Sequence, residues 1–396
     1  MSMRRDDIRA LKKDLGAVAF VQVVRDLLEG HKMPNGAEYK MRPEEFSLHD
    51  LWEGLIGPVE TTLPSARAEM LIDLPEAGGI DTSAFIAVTR LLLASAVIAG
   101  YNEQVGVGDL LVSRMPSKRK IENVAGFSDI EGLKTVQEGM PYEDSSMADK
   151  YVTTEATKKG RLISITEDSI REDQTGQLLV RAGNLGRKAR TDREKTIING
   201  VLDLNSNVYR PSGAATALYT VGNLNLIGTG GAPAGFTTAI ALQDWTDLQS
   251  VLQFHAENVK TDPQVGTGDP ILWAPPILFL PPALEVVGLR LTNATSIRST
   301  ITNQETTFNN PMAGRFKVIS SPYIAISGIA GANADWYLGD FQKQFFWQDI
   351  IPIQVLRAPA DAADAFLRDV VAIFKVRYYG GLFATDIKWV VKIKGA

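Results

Sequence analysis

The chain contains no cysteine and only three histidines among its 396 residues. The first absence removes disulfide staples, thiolate metal sites and a cysteine nucleophile together. His31, His49 and His255 form no pair at ligand spacing on one helix, so the pattern argues against a zinc site and places each histidine on the surface or in a loop. An excess of positive charge is missing too. Lys and Arg total 41 against 46 Asp and Glu, a net charge of −5, which is a poor basis for a sequence-specific nucleic-acid binder. The opening run MSMRRDDIRALKKDL alternates charge with apolar groups and has no uninterrupted apolar segment of the signal-peptide kind. The longest apolar stretch, Ala84 to Gly100, is about 17 residues with Arg90 near its middle, which reads as a buried helix and not as a membrane span. The expectation is a soluble chain made inside the cell.

Motifs for catalysis or cofactors are also lacking. Asp203, Asn205 and Asn207 start like a calcium loop, but position six is Val208 and position twelve is Ala214. The glycines at 228, 230, 231 and 235 lack the spacing of a dinucleotide fingerprint, and no Lys-Ser/Thr follows for a phosphate loop. No Gly-x-Ser-x-Gly elbow occurs. Neither an enzyme activity, a cofactor nor a metal is expected.

What is present is 45% hydrophobic residues, ordinary for a globular protein, on a chain long enough for two or three subdomains. Ile8, Leu11, Leu15, Val18, Val23 and Leu27 recur at spacings of three and four, predicting one amphipathic helix from Arg5 to Leu28 that ends at Gly30. Pro43 to Gly79 mixes proline, glycine and short apolar groups and predicts irregular, extended chain. Helix resumes at Asp81, a candidate N-cap, and runs to about Ile98. Val112 to Ile165 is polar and reads as two strand-forming arms, Lys120 to Val136 and Lys150 to Ile165, around a tip holding Gly139, Pro141, Ser145 and Ser146. Such a ribbon buries no apolar face of its own and needs a partner surface.

Thr166, followed by Glu167 and Asp168, predicts a capped helical turn. After Gly176 a long helix carries the stripe Leu178, Leu179, Ala182, Leu185, Ala189, Ile197, Val201 and Leu202, interrupted by Arg190, Asp192, Arg193, Glu194 and Lys195; about 25 residues would reach nearly 40 Å. Asn205 to Gly235 reads as turns and short strands. Thr238 to His255 returns to helical period, Pro276 to Leu280 is a buried strand, and Pro281-Pro282 opens another helix. Arg315 to Ile319, Trp336 to Leu338 and Ile351 to Leu356 read as strands, and Val370 to Ile393 as one continuous strand-like region.

In order and spacing, these segments resemble the major capsid proteins of tailed bacteriophages, with the Hong Kong 97-type shell fold. The motifs that carry the resemblance are SITEDSIRED at Ser164 to Asp173, LGRKA at Leu185 to Ala189, PILFLPPAL at Pro276 to Leu284, NPMAGRFKVISSPYI at Asn310 to Ile324 and FLRDVVAIFKVRYYGG at Phe366 to Gly381. The resemblance covers about Val112 to Lys394. It implies an α+β fold divided into an N-terminal arm or extension (1–111), an extended loop (112–165), a spine helix with the first part of a peripheral domain (166–240), an axial domain (241–335) and a return to the peripheral domain (336–396). The first 110 residues depart from the family pattern; some members carry a scaffolding segment there that is removed, and a structural arm is the reading taken.

The implied function is self-assembly into hexamers and pentamers of an icosahedral head that encloses double-stranded DNA without sequence-specific binding, in the host bacterial cytoplasm and with no membrane. Portal, scaffolding or decoration proteins are the implied partners. Residues expected to pair with neighbouring subunits are Arg114, Lys118, Arg119, Lys120 and Lys158 of the loop region and Arg187, Arg190, Arg193 and Glu194 of the spine. The family's founding member joins a loop lysine to a neighbour's asparagine; lysines 118, 120, 134, 150, 158 and 159 and Asn309 and Asn310 are the residues of the right type here. An encapsulin-type compartment is the alternative on the same fold, although those chains are usually much shorter. A carbohydrate- or protein-binding module, suggested by the Gly/Thr/Asn-rich stretch Asn205 to Thr238, is the alternative from another class.

Overall fold

The computed structural model describes residues 5–32, 38–39, 41–43, 46–56, 80–103, 106–127, 149–166, 177–262, 267–301, 304–357 and 370–395. The tip of the extended loop, the turn expected after Thr166 and the beginning of the FLRD motif lie outside them. The chain divides into two compact units, one made of 1–105, 158–192 and 351–379, the other of 106–157, 193–350 and 380–396. The long helix Gln177–Val201 contributes to both. The architecture is α+β, with the anticipated order of two-stranded ribbon, long helix, sheet-and-helix region and returning strands.

The first unit is a helical packing built on the long helix. The single N-terminal helix expected from the sequence is two, Arg5–Leu15 and Ala17–Glu29, because Gly16 adopts a φ of 79°. The second helix ends at Gly30 as anticipated. Within the stretch expected to be irregular, Leu48–Leu55 is a helix whose N-cap, Ser47, accepts from the backbone N–H of Asp50. It buries Leu48, Leu51, Trp52 and Leu55, and the Trp52 ring meets Phe85 edge-on at 4.8 Å. The apolar helix Ile80–Glu103 includes a stretch, Ala84–Glu103, long and apolar enough to cross a membrane by length and composition. The fold instead buries Phe85, Val88, Leu92, Leu93 and Val97 in one core with Ile8, Phe20, Val24, Leu179 and Ala182. Thr89 is accommodated there by donating its hydroxyl to the Phe85 carbonyl at 2.8 Å.

The apolar helix and the long helix meet through glycine. A methyl group on Gly186 would stand 2.1 Å from the Val97 carbonyl oxygen and 2.9 Å from the Tyr101 nitrogen, and one on Gly100 would stand 2.1 Å from the Gly183 carbonyl oxygen. The two backbones are in contact at these points, an approach that only a residue without Cβ permits. The N-terminal segment therefore shares its core with the spine of its own chain. Strands Thr157–Thr166 and Val370–Ala384 are hydrogen-bonded neighbours, and Ile165, Phe374 and Val376 join the same core.

In the second unit, Ser113–Pro116 pairs in parallel with Phe346–Asp349. Ile121–Phe127 pairs antiparallel with Asp149–Glu155, from Ile121 opposite Glu155 to Phe127 opposite Asp149. The second arm of the loop is thus two strands, since Ala156, fully buried, interrupts it and donates its N–H to Lys120. The ribbon is buttressed at its base: Thr153 donates to Arg210 and Ser212 to Tyr151 through their backbones, and Arg210 pairs with Glu155.

A five-stranded sheet forms the heart of this unit, in the order Lys317–Ser320, Ile277–Leu280, Trp336–Gly339, Val390–Ile393 and Leu226–Ile227. Three of these strands are buried along their whole length, the pattern of a sheet covered on both faces. Helix Trp245–Asn258 begins with a capping box, Asp244 and Asp247, and starts seven residues later than its periodicity suggested. Helix Pro282–Asn293 carries proline in its first turn as expected. The closing region is not one strand: Val370–Ala384 and Val390–Ile393 belong to different sheets. The segment between them is held by Gln344, whose side-chain Oε1 accepts from the backbone N–H groups of Trp389 and Val390 at 3.1 and 2.9 Å.

Candidate assembly surfaces

The long helix carries its charges in two sets, one in each unit. In the first, Arg187 donates to Glu103 and to Asn184. The buried Arg190 guanidinium lies over the Tyr101 ring, 5.3 Å from its centroid. Asp192 accepts from Lys159 at 2.8 Å and from the Tyr378 hydroxyl. In the second, Arg193 is buried, 3.0 Å from Asp109 and with its guanidinium 5.0 Å from the Trp347 ring centroid. Glu194 accepts from the Gly108 N–H at 2.7 Å, and a Cβ on Gly108 would collide with that carboxylate at 2.8 Å. A guanidinium that is both paired and stacked is a fixed, planar anchor.

The sequence placed Arg187, Arg190, Arg193 and Glu194 as residues that pair with neighbouring subunits. In the folded chain each engages groups of its own chain. The remaining candidates face outward. Arg114 is exposed, 3.8 Å from Asp109. Lys118, Arg119 and Lys120 are exposed at the bend before the ribbon. That bend is fixed by the buried Gln348, which donates to the Ser117 hydroxyl at 3.0 Å and the Arg119 carbonyl at 2.9 Å. Lys158 is exposed at the start of Thr157–Thr166. In the second unit the ribbon exposes Ile121 and Tyr151, and in the first the strand Thr157–Thr166 exposes Leu162, apolar side chains that together with basic ones are of the kind subunit contacts use.

Asn310, one of the two asparagines of the right type for a crosslink, is buried. Its amide donates to the Leu291 and Ala294 carbonyls at 2.7 and 2.8 Å and its carbonyl accepts from Met312 at 2.9 Å; it clamps the loop that follows helix Pro282–Asn293. Asp203, the first residue of the calcium-like run, is turned into the fold, with a φ of 56° and its carboxylate accepting from the Leu218 N–H at 2.6 Å. Desolvation pushes its pKa up to about 6 against hydrogen bonds from Leu218 and Tyr219 and the nearby Lys392 charge. Among the described residues no group of three or more His, Asp or Glu side chains is arranged to hold a metal ion.

His255 corrects the expectation that all three histidines lie at the surface or in loops. It is fully buried in helix Trp245–Asn258, with Nε2 2.9 Å from the Lys388 carbonyl and its ring stacked 3.9 Å from Trp273. Burial lowers its pKa to about 4, opposed by the Lys388 carbonyl. His49 is partly exposed on helix Leu48–Leu55, 3.9 Å from Glu53. Within the Gly/Thr/Asn-rich stretch, Asn225 is buried and donates to the Leu218 and Ile387 carbonyls. The composition that suggested a binding module there supplies turns instead.

The family model described as phage capsid protein matches residues 150–393, more than half of the chain. The chain belongs to the phage capsid protein family. No curated protein matches the sequence. Among solved structures, the capsid of a native GTA particle is 12% identical with a TM-score of 0.48, covering 74% of this chain and 91% of its own. A structure named for Gordonia phage Cozz is 14% identical with a TM-score of 0.44 and coverages of 74% and 86%. A virus-like particle from Pyrococcus furiosus is 10% identical with a TM-score of 0.39 and coverages of 76% and 97%. The family match begins in the second strand of the ribbon and runs to the last strand. The described residues before it include the helices of the first unit as far as Glu103 and, in the second unit, strands Ser113–Pro116 and Ile121–Phe127.

Proposed function

We propose that this phage capsid protein is the major shell subunit of a tailed double-stranded DNA bacteriophage, assembling with copies of itself into the hexamers and pentamers of an icosahedral head. The observation that carries the reading is the family match over residues 150–393, which takes in the spine helix, the five-stranded sheet and the returning strands as one continuous piece. The ribbon supports it. Two strands, Ile121–Phe127 and Asp149–Glu155, expose Ile121 and Tyr151, and a two-stranded element of this kind is marginal in water unless another surface covers it. Adjacent subunits of a lattice provide that surface, and closure of a ring suppresses the loss of single chains.

The charge balance fits a container. At −5 overall, the subunit lacks the dense cationic surface that would neutralise many phosphates and grip DNA tightly. The chain's own chemistry in this function is structural: the paired arginines of the long helix hold the subunit's shape, while Arg114, Lys118, Arg119, Lys120 and Lys158 meet acidic groups on neighbours. Portal, scaffolding or decoration proteins complete the head in the host cytoplasm. A density-gradient experiment on the chain expressed with its neighbouring genes tests this reading. Migration in the megadalton range, with co-sedimenting DNA protected from nuclease, supports it; migration only as a monomer contradicts it.

A further inference from the structure

The second unit exposes an apolar groove and, separately, an apolar ridge. The groove, about 650 Å³, lies along helix Trp245–Asn258 and is walled by Trp245, Leu252, Leu272, Trp273 and Met312, with Arg315 at its edge. Its floor is rigid. The Trp273 ring stacks on buried His255, and its Nε1 donates to the Trp389 carbonyl at 3.1 Å. Leu272 on the rim is 99% exposed, a large apolar side chain wholly in water.

The ridge is on helix Pro282–Asn293. Val286 is 75% and Leu289 40% exposed, and their i, i+3 spacing puts both on one face. Gly288, on the opposite face, packs against Leu280 and Val318, so the exposed pair is the side of the helix left over once its own core is made. Glu285 and Arg290 flank the pair, Glu285 being held by the Ser320 hydroxyl at 2.6 Å. The groove carries the opposite polarity: Arg315 at its edge and exposed Glu257, one residue beyond the lining Ala256 on helix Trp245–Asn258.

We propose that the groove receives the Val286–Leu289 ridge of a second copy of this chain, with Glu285 facing Arg315 and Arg290 facing Glu257. The groove and ridge are different surfaces of one chain, so the contact is head-to-tail and propagates into a ring or an open chain, unlike a self-complementary dimer contact. The mode is an amphipathic helix laid in an apolar groove, read by i and i+3 anchors. This rests on the shell-subunit reading and gives it a specific contact.

The test uses two full-length variants. Val286→Asp removes the ridge and leaves the groove; Gln249→Trp fills the groove and leaves the ridge. Each should keep the wild-type melting temperature, since both positions are exposed, yet associate about 30-fold more weakly, the loss of one interface hot spot. Mixed together, they should form a dimer that neither forms alone, because one groove and one ridge remain. Arg290→Glu and Glu257→Arg should each weaken association and together restore it. Variants that assemble as wild type, or a mixture without dimer while wild type assembles, would overturn the groove contact and leave the shell reading standing. Wild type that never assembles would overturn both.

Discussion

Replacing Gly186 by alanine should destabilise the first unit, although helix propensity alone predicts the reverse. Alanine is favoured over glycine inside a helix by about 1 kcal/mol. The new methyl group, however, would sit 2.1 Å from the Val97 carbonyl oxygen, where a carbon–oxygen contact settles at about 3.3–3.6 Å. The long helix and the apolar helix would have to separate by about 1.2 Å, taken from that difference in contact distances. Leu93, Val97, Leu179 and Ala182 share the core there, and forcing such a core apart costs about 1–3 kcal/mol, more when backbone must move. The net expectation is a loss of up to about 2 kcal/mol after the propensity gain. Gly183 supplies the control on the same helix, because a methyl group there would meet only the Ala96 carbonyl oxygen at an ordinary 3.7 Å. Gly183→Ala should therefore be neutral or stabilising by up to about 1 kcal/mol. Urea denaturation followed by circular dichroism gives both midpoints. A Gly186→Ala chain as stable as Gly183→Ala would refute the close crossing.

Three further outcomes are expected. Arg193→Met should cost about 2 kcal/mol, below the 3–5 kcal/mol of a fully buried broken pair because Asp109 is partly exposed, and Arg193→Lys should rescue little since it loses the guanidinium plane over Trp347; thermal melts of the three proteins decide it. Asp203, with its folded pKa raised to about 6 from 3.8, contributes stability that is present below pH 3.8 and lost as pH rises through about 6. Asp203→Asn should match wild type near pH 4 and exceed it by about 1–2 kcal/mol at pH 7, a figure reduced for partial exposure. His255 works in the opposite sense: its pKa falls to about 4, so stability present above about pH 6.5 is lost as pH falls towards 4, by about 3 kcal/mol. His255→Phe should remove that acid sensitivity, and equal pH profiles for variant and wild type would contradict the buried, neutral assignment.

Much of the fold was legible because it is written in short-range patterns. The stripe from Leu178 to Leu202 reports the long helix, and the unbroken apolar run at Ile277–Leu280 reports a strand buried on both faces. The Pro281-Pro282 start of the next helix is equally local. Where the reading failed, a longer-range contact or a single backbone angle decided the outcome. Gly16 splits the N-terminal helix through a positive φ that periodicity does not register. Leu48–Leu55 was hidden by its proline- and glycine-rich surroundings, though Ser47 with Asp50 and the spacing of Leu48, Leu51, Trp52 and Leu55 signal it. His255 extends the stripe of Leu248, Val251 and Leu252, a hint that its ring points inward.

The surfaces were less legible than the core. Charge clustering on the long helix was visible, but pattern alone does not tell a solvent-facing arginine from one stacked under Tyr101 or Trp347. Asn310 looked like any loop asparagine until three hydrogen bonds defined its clamp. The groove is lined from three separated segments, around Trp245, Leu272 and Met312, and only the folded chain brings them together.

Negative-stain electron microscopy of the chain expressed with its neighbouring genes bears most directly on whether this subunit builds a shell. Closed icosahedral particles tens of nanometres across, with hexameric and pentameric units on their surface, are the predicted result. A uniform population of monomers or small oligomers, with folded protein confirmed by circular dichroism, would contradict it.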